Sequence, residues 1–182
     1  MKNFWDNMAG IGIRADMRPQ EIRSIKIINK ACTIAIMLLL PPILMIFAGH
    51  RHPSSIFPPA LSIFILSLVV ILNKLNKSYY ARNLFAIYGL LITFTANILL
   101  PLESMSLLYF ILSFLLPILI FINRKTIRIY LILNLFAYIF VYTFKWKYGS
   151  VISVQFHPEI SILINLSIVL LVYYSITRYF RQ

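Results

Sequence analysis

Acid is what this sequence has least of. Five Asp and Glu face seventeen Lys and Arg in 182 residues, a formal charge of +12. None of the five falls in the middle of an apolar run, where a proton or ion relay through a membrane would need an ionisable group. The same scatter leaves no carboxylate pair for general acid–base work. Cysteine is reduced to Cys32 alone, so neither an internal disulfide nor a CxxC pair is available. A glycine-rich phosphate loop, HExxH and G-x-S-x-G are all missing. These absences remove the common enzyme classes, and the chain is expected to be non-enzymatic, with no metal and no cofactor.

What the sequence does have is oil. Hydrophobic residues make up 60% and charged residues 12%, with a mean hydropathy of +0.85; a soluble domain is about 25% charged. Six apolar segments stand out: Ile27–Ala48, Ile56–Leu75, Tyr80–Leu100, Met105–Ile122, Ile127–Phe144 and Ile160–Phe180. Each is near the ~20 residues that cross ~30 Å of hydrocarbon. The first is too long for a signal-peptide core and no small-x-small cleavage site follows it. Links between segments are short apart from Lys145–Glu159, which favours antiparallel neighbours. The expectation is an all-α polytopic membrane protein: a cytoplasmic amphipathic leader over residues 1–26, then a six-transmembrane-helix bundle over 27–182.

Basic residues set the orientation. Lys2, Arg14, Arg18, Arg23, Lys26, Lys30, Lys74, Lys77, Arg82, Arg124, Lys125, Arg128, Arg178 and Arg181 share one side, and Arg51, Lys145 and Lys147 the other. Cytoplasmic loops carry the excess of Lys and Arg, so both termini are expected in the cytoplasm of an inner (plasma) membrane. The charge is then explained by topology and anionic headgroups, without nucleic acid. Pro58 and Pro59 suit the start of the second segment, whereas Pro41, Pro42 and Pro117 lie inside segments and are expected to kink them. The echo of NLFAIY at Asn83 in NLFAYIF at Asn134 falls at two different depths and is attributed to the narrow alphabet.

Two polar constellations remain. Within the segments, Asn29, Asn97, Asn134 and Asn165 accompany Thr, Ser and Tyr residues. Such groups bond between membrane helices, or line a pocket for a small or amphipathic ligand; the pocket candidates are Asn97, Asn134, Tyr138 and Asn165. On the outer side stand His50, His52, Glu103, His157 and Glu159, ordinary solvated loop residues or a group that titrates near neutral pH. The HRH spacing is not that of a standard metal site.

The stretch GIGIRADMRPQEIRSIKIINKA, Gly10–Ala31, begins a helix at Pro19 with Glu21 in its first turn. Ile22, Ile25 and Ile28 or Asn29 recur at helical spacing, with Arg23 and Lys26 on the wet face. Upstream, Phe4, Trp5, Met8, Ile11 and Ile13 form a weaker amphipathic piece. This leader, the six segments and the closing YYSITRYFRQ resemble the N-terminal six-helix membrane module of bacterial sensor histidine kinases and class III adenylate cyclases. The resemblance implies a dimeric sensor that reads a ligand or membrane state and signals to a cytoplasmic output domain. With the chain ending at Gln182, that domain would be replaced by a partner protein, or the chain would be an excised module. The alternative is a small transporter or pore-forming protein, which flux in liposomes would reveal.

Overall fold

A computed structural model describes residues 2–48, 56–99 and 108–148. Among these residues there are six helices and no strand. They are α1 (Lys2–Gly10), α2 (Pro19–Phe47), α3 (Phe57–Lys74), α4 (Ser78–Leu99), α5 (Leu108–Ile120) and α6 (Arg124–Tyr148). The sixth apolar segment, 160–180, lies outside the described residues.

Helix starts and stops follow local chemistry. Arg18 precedes α2 and its carbonyl accepts from the N–H groups of Glu21 and Ile22, at 2.9 and 3.1 Å. Pro19 then takes the first helical position, where its missing N–H costs nothing. Glu21 Oε2 reaches back to the Arg18 N–H at 3.4 Å, half of a capping box. α3 opens on Pro58 and Pro59. It closes on Asn76, whose φ of 61° is left-handed. The Lys77 N–H donates to the Leu72 carbonyl (2.9 Å) and the Asn76 N–H to that of Asn73 (3.0 Å), the bond pair of a Schellman stop. Only Leu75–Lys77 separate α3 from α4. Helix α2 is continuous through Pro41 and Pro42, and α5 through Pro117.

Among the described residues, three helices are long and apolar enough to cross a membrane: Pro19–Met45 of α2, α3, and Arg124–Lys147 of α6. Helices α4 and α5 hold the other two described apolar segments. α4 has 22 residues, among them Arg82, Asn83, Thr93, Thr95 and Asn97. The 13 described residues of α5 are almost wholly apolar. Leu38, Leu44, Phe47, Phe64 and Phe136 are each at least 65% exposed, an outward apolar display of the kind that suits contact with lipid.

The chain divides into two compact units. Met1–Tyr88 with Ile118–Ile127 form the first, Gly89–Pro117 with Arg128–Gln182 the second. In the first, α1 and α3 both pack on α2. The buried stripe of α2 is Ser24, Ile25, Ile28, Asn29, Cys32 and Thr33, which keeps one helix face. In the second unit, Ser113 and Phe110 of α5 meet Asn134 and Tyr138 of α6 in antiparallel register.

Candidate functional site

Six polar side chains in these apolar helices satisfy themselves at home. Thr33, Ser62, Asn83, Asn97, Asn134 and Thr143 each donate to the carbonyl four residues earlier, at 2.8–2.9 Å. Back-bonding of this kind hides a donor from lipid without a neighbouring helix.

Asn29 does something else. Its Nδ2 donates to the carbonyls of Ile11 (2.8 Å) and Ala9 (3.3 Å), which stand at and just beyond the end of α1. The last carbonyls of a helix have no partner within it, so a side chain of α2 caps the leader's C-terminus. With both amide protons committed, Asn29 can only accept on its other side. Accordingly Asn73 of α3 turns its Nδ2 to Asn29 Oδ1, at 2.7 Å. Asn29 and Asn73 are both fully buried. One pair of side chains thus ties the leader, α2 and α3 together, while Asn73 Oδ1 is buried with no hydrogen-bond partner.

Gly12 completes the junction. Its φ of +80° belongs to the left-handed region, and a Cβ there would lie 2.1 Å from the Asn73 carbonyl oxygen. The leader therefore reverses direction directly against the α3 backbone, at a position that admits no side chain. A second tie runs from Ser24 Oγ to the Ile120 carbonyl at the end of α5, 2.7 Å and buried. It satisfies another orphan carbonyl at a helix end.

The residues picked out by sequence are distributed differently. Asn97 and Asn134 are buried and, with Tyr138, belong to the second unit. Asn134 Oδ1 accepts from Ser113 Oγ, and Tyr138 meets Phe110 edge-on at 5.5 Å. These two candidates share a packed α5–α6 seam. Asn97 bonds only to Thr93 of its own helix, and its Oδ1 is buried without a partner; it shares no hydrogen bond with the seam. Asn165, His50, His52, Glu103, His157 and Glu159 lie outside the described residues. Among the described residues, no cluster of three or more His, Cys, Asp or Glu could hold a metal.

Sequence reading singled out Asn29 but missed Asn73 and Ser24. Asn73 stands at the end of an apolar run beside Lys74 and looks like an ordinary interfacial residue. The usable signal was Gly12, a glycine in a leader otherwise free to carry side chains. In comparison with known proteins, the chain matches no protein-family model, no curated protein and no solved structure.

Proposed function

We propose that this chain is a membrane-embedded sensor or regulatory module, and that its leader is the element through which the state of the helices is passed on. In this reading it is a six-helix bundle of the inner membrane with both termini in the cytoplasm, as the distribution of Lys and Arg implies. The ligand or membrane condition acts between the helices, and a cytoplasmic output domain, a partner protein or a second copy receives the change.

The Asn29 junction is the observation that supports it. A shift of α2 against α3 would separate Asn29 from Asn73, and the amide that reorients is the one holding Ala9 and Ile11. Buried polar groups are costly to leave unpaired, about 1–3 kcal/mol each. The junction therefore favours being wholly made or wholly broken, which is what a two-state element requires. Anchoring alone would not call for a fully buried amide pair; a basic amphipathic leader is held to membranes by area and charge.

The test is hydrogen exchange on the full chain in nanodiscs of different lipid composition, with and without a membrane extract. Protection of residues 8–13 is expected to change between conditions, and Asn29→Leu should abolish the dependence. Identical protection in every bilayer and extract would sink the sensor reading. Solute or ion flux in liposomes would move the chain to the transporter class.

A further inference from the structure

The first unit contains a cleft of about 250 Å³ lined by Arg18, Glu21, Tyr79, Arg82, Asn123 and Thr126 among others. These residues belong to the beginnings of three helices. Arg18 immediately precedes α2 and Asn123 immediately precedes α6, while Tyr79 and Arg82 lie in the first turns of α4. Each helix start carries the positive end of its dipole. Three such ends at one cleft make a strongly positive pocket before any side chain is counted.

Arg82 adds a buried charge to these helix ends. It is 8% exposed, and its guanidinium cannot lose its charge in a protein. Nε and Nη2 donate to Ser78 O and Ser78 Oγ on the same helix, at 3.2 and 3.4 Å. Both of these partners are neutral and leave the guanidinium charge unmatched. Glu21, the one carboxylate lining the cleft, attracts Arg82 at longer range. Glu21 is moreover engaged with the Arg18 N–H. A buried arginine without an anion is an expensive arrangement, and an anion brought into the cleft would relieve it.

We infer that this cleft is a binding site for a phosphate group. Arg18 and Arg82 supply charge and a planar fork that matches phosphate oxygens. Asn123 is oriented to help: its Oδ1 accepts from the Lys125 N–H at 2.9 Å, which leaves Nδ2 as a donor. Thr126 adds a hydroxyl. Phe121, buried, contributes an apolar wall that strengthens each of these interactions.

Two sources of phosphate fit this chemistry. The exposed Tyr79 and Tyr80, edge-to-face at 5.6 Å, are residues of the headgroup level. Lys77, Arg124 and Lys125, also exposed, add basic charge beside them. A lipid headgroup could enter from the bilayer side and a free phosphate from water. The site would serve a transporter as well as a sensor, so its fate is separate from that of the proposed function.

The full chain in phosphatidylcholine nanodiscs provides the test. In one arm, thermal stabilisation is titrated with inorganic phosphate against sodium chloride of matched ionic strength. In the other, phosphatidate or phosphatidylglycerol is added to the disc, and lipid retention is read by native mass spectrometry. Stabilisation by phosphate identifies a free ligand, and retention of the anionic lipid identifies a headgroup; either supports the site. Arg82→Gln should weaken binding about tenfold and Arg18→Gln about threefold, as loss of charge-assisted bonds predicts. Arg82→Lys, which keeps the charge and loses the fork, covers the case in which Arg82→Gln does not fold, and should weaken binding several-fold. Glu21→Gln should tighten it. Arg14→Gln, already ion-paired outside the cleft, should leave it within about twofold. Absence of binding in both arms, weaker binding by Glu21→Gln, or an Arg14→Gln effect equal to that of the cleft arginines overturns the proposal.

Discussion

Asn29 and Asn97 are both buried asparagines in apolar helices, and they solve the same problem in opposite ways. Asn97 donates to Thr93 one turn back, a bond that would survive if every neighbouring helix were removed. Asn29 donates to the leader and accepts from α3, bonds that exist only in the assembled first unit. Asn134 falls between them, with Nδ2 held at home by Tyr130 and Oδ1 given to Ser113 across the seam. Local satisfaction makes a polar residue tolerable in a helix without committing that helix to a partner. Satisfaction across elements makes the same residue a specifier of register, and a place where one movement is felt in three elements.

The sharpest way to break this contrast is at Gly12. In Gly12→Val the new side chain meets the Asn73 carbonyl, and the residue must hold a φ of +80°. Left-handed strain and overpacking together are expected to cost about 2–5 kcal/mol. Gly10→Val is the control, because nothing lies within 4 Å of a Cβ there. Unfolding of both variants in detergent should separate them clearly, with exchange protection of residues 2–18 lost only in the first. Equal melting of the two would mean that the leader is not seated against α3.

Asn29→Leu should come next, at about 1–3 kcal/mol. It strands the Ala9 and Ile11 carbonyls and the Asn73 amide, although hydrogen bonds within membrane proteins often measure below 1 kcal/mol. A double-mutant cycle with Asn73→Leu isolates the pair. The two changes should be far from additive, with a coupling of about 0.5–2 kcal/mol, because the double variant leaves fewer buried groups unpaired. Additive losses would show that Asn29 and Asn73 act separately.

Much of the first unit was legible in the sequence. Pro19, Glu21 and the spacing of Ile22, Ile25 and Ile28 defined the start of α2 and the face it buries, because these signals are properties of one helix read alone. Pro58 and Pro59 marked the beginning of α3 on the same grounds. In the second unit, Asn134 and Tyr138 stood out as polar candidates of one apolar segment, without the seam they share. Nothing in a single helix reveals which residue stands opposite, however, so the Asn29–Asn73 bond and the Ser24–Ile120 tie could not be read. The register between two helices depends on how both surfaces interlock, and that information is spread over residues distant in sequence. The cleft escaped notice for a related reason: Arg18, Arg82 and Asn123 each looked like ordinary topology or loop residues until three helix starts were seen to converge.

The smallest expected effect gives the comparison its finest test. Asn97→Leu removes a donor that serves only Thr93, together with an Oδ1 that is buried with no partner. The Thr93 carbonyl keeps its place in the helix ladder, so nothing is stranded and an unpaired acceptor disappears. Replacing a poorly satisfied buried polar group with an apolar one of similar size is close to neutral, or stabilising. The change in unfolding free energy should stay within about 0.5 kcal/mol of zero or favour the variant. A loss as large as that of Asn29→Leu would mean that Asn97 carries a bond across elements after all, and the division between locally and mutually satisfied asparagines would collapse. Neutral stability together with an altered response to lipid or extract would instead place Asn97 in a ligand pocket, where its free Oδ1 has an acceptor's work to do.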